Sequence, residues 1–505
     1  MQRPTAKAVA TAATLIVLLA GCGGADDKGS GGDGKSGETP PTPQAPPVAA
    51  FDPPKDFTTA SAFGAPDVVG VEDMYSYGAG MVGQTALLSG DGGLKGYHIA
   101  AQREPWTTPS SESPDTIKTT SHSKPMPLTL DGKDVVGIVY SQSNSGGGTQ
   151  KAHGQVLFQW LDAADGKKIA EATFDASSIL GPGGQTGNIY AEAYDAATGQ
   201  IAIAVDPDGG SKPLDDLTVF ADPKTQKATG IPGVAAAGVL NGVVVAGKAS
   251  RGTNATDSAI VVADGATGKI SKTIPTKQND LNTAGHGAKR AYLSGSTYQS
   301  DPKTAATTYN NVLYSVDIAT GAVVEIKPAL ANTKAYFYKC LGDQAAAVVC
   351  STGANGGTDE IVGIDDTTGK KAWGYTSESA SRVVPIVSAA FHGVIYGQAQ
   401  NQPIALTATD GQDIPLAKVP GASSTPTQSA SGHWSPTPDA STTAPSIDPA
   451  TDPAVAWGSD LSLYNNQLGV RTPDAVTQYG GAYLQGAGGN DFKNEKILVT
   501  LKPTA

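Results

Sequence analysis

From about residue 60 onward, short runs of β-branched and other apolar residues alternate with clusters of Gly, Asp and Asn. No stretch of helix length carries apolar positions at a 3.6-residue period. Regular short strands between turn residues predict an all-β fold, whether sandwich, barrel or propeller. One phrase recurs: an apolar strand ends at Asp, turns through Thr-Gly or Asp-Gly, and re-enters a second strand. It runs from Phe158 through Asp162 to Gly166, from Val261 through Asp264 to Thr267-Gly268, from Tyr314 through Asp317 to Thr320-Gly321, and from Val362 through Asp365 to Thr368-Gly369. A degenerate copy, Val219 through Asp222 to Thr225, lacks the glycine.

The phrase has a local logic. Asp caps the turn with its carboxylate, Thr bonds the backbone, and Gly takes the positive φ that closes the hairpin. A related copy, Asp195 to Thr198-Gly199, comes too early for another whole repeat and reads as a link between two strands of one repeat. The remaining Asp positions, 162, 222, 264, 317 and 365, lie 60, 42, 53 and 48 residues apart, as four-stranded units with loops of variable length would place them. A pair of tandem sandwiches predicts a linker mid-body, and none appears between residues 60 and 420. Neither that arrangement nor a solenoid explains the phrase as well as a ring of blades.

The fullest copy continues through Lys370-Lys371-Ala372 to Trp373, giving Asp-x-x-Thr-Gly-x-x-x-Trp. Here the chain resembles the pyrroloquinoline-quinone-type β-propeller repeat. That resemblance implies that the Asp, Gly and Trp build blades, with the Trp packed between neighbours. Trp106 keeps the same distance from His98, which replaces the Asp, while Gln102 replaces the Gly. In this register seven four-stranded blades are legible, near 68–107, 126–175, 189–230, 234–275, 283–328, 335–376 and 384–419. Strand-like segments at 454–457, 461–464 and 497–501 either complete an eighth blade or close the ring. The Ser/Thr/Pro-rich stretch 422–453 reads as a disordered surface loop.

The N-terminus has a different pattern. Arg3 and Lys7 lead into a run of small and apolar residues from Ala8 to Ala20, shorter than the ~20 residues a spanning helix needs. It closes with Leu19, Ala20, Gly21 and Cys22, which resembles a bacterial lipobox. The resemblance implies lipidation of Cys22, cleavage of a signal peptide at 1–21, and a mature protein held to a membrane by acyl chains. An ordinary signal peptide is the alternative. Removing residues 1–21 deletes two positive charges and takes the formal charge from −12 to −14, so the anchor would owe nothing to polybasic attraction. Residues 22–56, Gly/Asp/Ser-rich and then Pro-rich, read as a disordered tether to a propeller domain at 57–505.

Candidate chemistry is sparse. Lys+Arg number 35 against 47 Asp+Glu, so a nucleic-acid groove is not expected. Cys340 and Cys350 remain after Cys22 and form an even pair suited to oxidation in an exported protein. A tight turn centred on Gly342-Asp343 would place them at different distances from the turn, so a bridge needs a wider loop or a bend. Two free buried thiols are the alternative. Asp206, Asp208 and Gly209-Gly210, with Asp215-Asp216, hint at calcium but lack the EF-hand spacing, and an Asp-Gly turn accounts for them. His98, His122, His153, His286, His392 and His433 are scattered, without zinc-ligand spacing.

His122 between Ser121 and Ser123 reads as part of a solvated polar loop. Asp359-Glu360 and Asp365-Asp366 are strand neighbours that face opposite sides and cannot flank one scissile bond. Tyr464, Tyr479 and Tyr483, near Asn465 and Asn466, would suit carbohydrate or peptide contact, or simply core packing. No nucleophile elbow, P-loop or dinucleotide fingerprint is present. The expectation is a monomeric, membrane-anchored binding or scaffold module for a protein, peptide or cell-wall ligand, with no catalytic residue, metal or cofactor assigned. In architecture and anchor it resembles BamB-like lipoproteins. The alternatives are a propeller enzyme (quinoprotein dehydrogenase, hydrolase or lyase) and an extracellular sensor. Quinoprotein dehydrogenases resembling this repeat hold their cofactor with calcium and a vicinal disulfide, and no adjacent Cys pair exists here.

Overall fold

The computed structural model describes residues 53–55, 57–64, 78–99, 104–149, 151–209, 214–250, 255–300, 307–330, 336–353, 358–379, 381–399, 402–416, 472–486 and 496–503. They form eight antiparallel sheets of four or five strands. Seven follow chain order at 78–109, 117–175, 185–232, 235–275, 280–326, 336–376 and 386–414, and are blades 1 to 7. Blade 8 combines Ala475–Thr477, Gly480–Gly486 and Lys496–Pro503 with an outer strand from the other end of the body, Phe57–Gly64. Of the late strand-like segments, 497–501 lies in the Lys496–Pro503 strand of blade 8, whereas 454–457 and 461–464 lie outside the described residues; the outer strand Phe57–Gly64 closes the ring.

Ring closure is visible in the packing. A cluster of buried apolar side chains lies between each consecutive pair of blades, from blades 1 and 2 round to blades 8 and 1. The core is thus divided into wedges, which suits strands that are buried on both faces and read as near-continuous apolar runs. At the closing wedge Phe57 is buried against Tyr396, ring centroids 5.7 Å apart, and the Tyr396 hydroxyl donates to Pro54 O at 2.5 Å. Thr477 Oγ1 donates to Gly83 O at 2.7 Å, tying blade 8 to blade 1.

The repeated phrase forms the turn between the third and fourth strands. Asp264 Oδ1 accepts from the Thr267 amide at 2.8 Å and its hydroxyl at 2.7 Å, while the Gly268 amide donates to Asp264 O at 2.8 Å. Asp317 with Thr320 and Gly321 repeats this arrangement. Asp365 takes the amides of Thr367 and Thr368, and Asp162 that of Ala164. Gly268, Gly321 and Gly369 have φ of 68°, 65° and 72°. In the copy without glycine the same place is held by Gln226 at φ 53°, a left-handed conformation that costs a side chain strain. The Asp195–Gly199 turn joins the first two strands of blade 3.

Trp373 in blade 6 lies on Gly411 in the turn of blade 7, where a Cβ would come within 2.5 Å of the ring, and its Nε1 donates to Ala408 O at 2.8 Å. Trp106 in blade 1 lies in the same way on Gly166 of blade 2. Lys272 occupies the corresponding place in blade 4 and donates to Gly321 O of blade 5 at 3.0 Å.

Cys340 and Cys350 are bridged, with Cα atoms 4.1 Å apart. The turn is not at Gly342-Asp343: the strands Tyr336–Gly342 and Ala347–Gly353 are joined by 343–346, which puts the cysteines directly opposite each other. Asp343 Oδ1 holds that wider turn by accepting the amides of Ala345, Ala346 and Ala347.

Candidate functional site at the propeller axis

The innermost strand of each blade borders the axis. In blades 3 to 7 this strand carries a register shift, at Ile189/Ala191, Ala236/Gly238, Thr283/Gly285, Phe337/Lys339 and Val387/Ala389. Bulges re-aim side chains and gather where a strand borders a site. In blade 2 the innermost strand breaks outright: Ile117–His122 and Met126–Leu130 pair with successive parts of Lys133–Asn144, leaving Ser123-Lys124-Pro125 between them. Blade 2 therefore begins at 117, not 126. The break is accommodated by blade 1, where a side chain on Gly80 would come within 2.6 Å of Pro125.

The Thr-Ser-His-Ser stretch is accordingly not a solvated loop. Ser121, His122 and Ser123 are buried, because the strand runs between blades 1 and 3. Each serine hydroxyl replaces a lost ladder partner: Ser123 Oγ accepts from the Val139 amide at 2.9 Å, and Ser121 Oγ from the Ile189 amide at 3.1 Å. His122 Nδ1 lies 2.9 Å from Ser123 O and Nε2 3.9 Å from Asp91 Oδ1, so the ring bonds the backbone and activates neither hydroxyl.

Four charged side chains reach the axis from different blades. The Lys124 amide donates to Glu192 Oε1 at 2.8 Å, bringing blade 2 to blade 3. Lys339 of blade 6 has its amine pushed down by burial and by the Lys124 ammonium, with Asp474 opposing. Asp474 of blade 8 is pushed up by burial, opposed by the Leu484 amide 3.2 Å from Oδ2 and by both lysines. Blades 2 and 6 stand opposite each other in a ring of eight, so mutual influence among Lys124, Lys339 and Asp474 can act only across the axis. Glu192 is likewise pushed up by burial, its hydrogen bond from Lys124 opposing.

Among the described residues, none of these four has an opposite charge within 4 Å. Ion pairs elsewhere, such as Lys371–Glu360 at 3.2 Å, are closed. Further along the axis Tyr194 of blade 3 meets His286 of blade 5 edge to face, with centroids 4.7 Å apart, and burial holds the imidazole below its ordinary pKa.

The other sequence candidates do not converge. Asp365 faces its own turn, whereas Asp366 is buried and accepts from the Lys289 amide at 2.8 Å and the Tyr292 hydroxyl at 2.9 Å. Glu360 is buried on Lys371 and the Ala329 amide. Asp216 accepts a hydrogen bond from Tyr190, and among the described residues no three His, Cys, Asp or Glu side chains are grouped to hold a metal ion. Tyr483 is buried in the wedge between blades 7 and 8, and Tyr479 is exposed. Residues 19–22, His433, Tyr464, Asn465, Asn466 and the stretch 422–453 lie outside the described residues. A small groove of about 230 Å³ between blades 3 and 4 is lined by Gln200, Asp222, Asn241 and Asp264, whose carboxylates already serve their turns. The axial residues had no signal in sequence beyond Lys124-Pro125 interrupting a strand pattern.

No family model and no curated protein sequence matches this chain. Solved structures do. Dihydro-heme d1 dehydrogenase NirN in complex with DHE is similar at 11% identity over 74% of this chain and 75% of that one, with a TM-score of 0.41. Prolyl oligopeptidase B from Galerina marginata is similar at 9% identity over 66% of this chain and 49% of that one, TM-score 0.37. The β-propeller domain of the trilobed protease from Pyrococcus furiosus, described with an open velcro topology, is similar at 10% identity over 60% and 86%, TM-score 0.35. The protein is an eight-bladed β-propeller. That statement rests on its own sheets and their closure, and such distant likeness says nothing of activity.

Proposed function

We propose that this protein is a membrane-anchored, extracytoplasmic lipoprotein whose propeller is a binding module with the axial mouth as its ligand face. The observation that carries the binding reading is the set of four axial charges that, among the described residues, have no ionic partner. Charge partly withdrawn from water, as at Lys339, Glu192 and Asp474, is costly unless something pairs with it, and a ligand of complementary charge would supply that pairing. The anchor reading rests on Leu19-Ala20-Gly21-Cys22 and the low-complexity 23–50 that follows. The recurring Asp-x-x-Thr-Gly turn and the packing of Trp373 on Gly411 support kinship with the pyrroloquinoline-quinone-type repeat as a scaffold. The ligand class is a peptide, a protein segment or a cell-wall fragment.

Two measurements test the proposal separately. Metabolic labelling with a fatty-acid analogue should mark the parent chain and leave Cys22→Ser unlabelled; equal labelling of both overturns the anchor. Capture of soluble cell-wall fragments should fall when Lys124 and Lys339 are both replaced by Gln, with folding unchanged by circular dichroism. Unaltered capture overturns the axial site.

A further inference from the structure

Building on the binding-module reading, we propose that the axis takes a small zwitterion, an amino acid or the free end of a short peptide. Its carboxylate would sit against Lys339 and Lys124, and its ammonium against Asp474 and Glu192. Two cations and two carboxylates face the axis from blades 2, 3, 6 and 8, and yet stay more than 4 Å from any opposite charge among the described residues. An anion alone would pair the lysines and leave both carboxylates bare; a cation alone would do the reverse. One molecule carrying both charges answers all four.

Both carboxylates are held in position by backbone amides: Leu484 donates to Asp474 at 3.2 Å and Lys124 to Glu192 at 2.8 Å. Those bonds leave each carboxylate a second oxygen for a ligand. Lys124 is exposed and Lys339 half-buried, giving a path inward from one face.

Calorimetric titration of the full chain with alanyl-alanine, its N-acetyl form, its C-terminal amide and the doubly capped peptide tests this. Saturable binding of the free dipeptide is expected, weakened at least about tenfold by either cap, by Lys339→Gln and by Asp474→Asn, the effect of one charge-assisted contact. Lys339→Gln should melt no lower than the parent, because it removes a partly desolvated charge, so loss of binding would not reflect unfolding. Equal binding of free and capped peptides overturns the zwitterion. If the doubly capped peptide binds and Lys339→Gln weakens it, the axial binding module stands and only the zwitterion falls. If no peptide binds and neither variant alters capture of cell-wall fragments, both readings fall.

Discussion

At the rim, Asp264 and the Thr267 hydroxyl are three residues apart in sequence and 2.7 Å apart in space. At the axis, Lys124 and Lys339 stand on opposite sides of the ring, and the Lys124 charge still helps to push the Lys339 amine down. Rim turns close their own hydrogen bonds within five residues and repeat from blade to blade; the axis is assembled once, from a broken strand, bulged strands and the residue just before Ala475. The difference separates two kinds of residue. Rim residues hold the blades, and substitutions there should change stability. Axial residues are held by the blades, and substitutions there should change what the protein binds.

The strongest way to break this comparison is at the ring's closure and its Trp junctions. Phe57→Ala should destabilise by about 3–5 kcal/mol, the range for emptying a buried aromatic site, and Trp373→Ala by about 3 kcal/mol, read as a lower denaturant midpoint. Gly411→Ala comes next. The new methyl group meets the Trp373 ring at 2.5 Å and sits at φ 68°, so a loss of about 2–3 kcal/mol is expected. Gly132→Ala provides the control, with φ 75° but nothing within 4 Å of the new Cβ, and should lose only about 1 kcal/mol. Equal losses at the two glycines would mean that Trp373 does not lock blade 6 to blade 7.

A smaller effect comes from the turn acids. Asp264→Ala removes two accepted hydrogen bonds and should cost about 1 kcal/mol. The Thr267 hydroxyl and amide hold the Asp264 carboxyl below its ordinary pKa. The unfolded chain therefore binds its proton first as pH falls. Its contribution is complete above the ordinary carboxylate range and is lost as pH drops through the lowered folded value.

His286 gives a test nearer neutrality. Burial lowers its pKa in the fold, so the unfolded state takes up a proton near pH 6.5 while the folded state takes it up only below that. Stability should fall as pH is lowered through this window, and His286→Gln should flatten the fall measured by thermal melting. The smallest stability effect is expected at the axis itself: Lys339→Met should leave melting unchanged or raise it, since an apolar side chain replaces a half-buried charge that has no ionic partner among the described residues. A marked loss would make Lys339 a structural residue and erase the contrast with the rim.

Most blade spans and the Asp-Thr-Gly turns were legible in sequence because each is a local event with a fixed spacing, whereas the docking of Trp373 on the next blade was implied only by the resemblance to the repeat family. The bridge between Cys340 and Cys350 was foreseen as a pair, but its geometry was misplaced by the turn. Asp343, not Gly342, sets that turn, by collecting three successive amides. His122 was misread as solvated since nothing local shows that its strand runs between two other blades. Phe57–Gly64 went unassigned to any blade because its partner, Lys496–Pro503, lies at the far end of the chain.

Sequence alone determined the strands, their turns and their tandem repetition, since strand propensity, caps and left-handed glycines act over a few residues. Only the tertiary structure decided that the ring has eight blades, which strand closes it, and which charges meet at its centre. Those outcomes depend on closure, and closure depends on all the wedges fitting together at once.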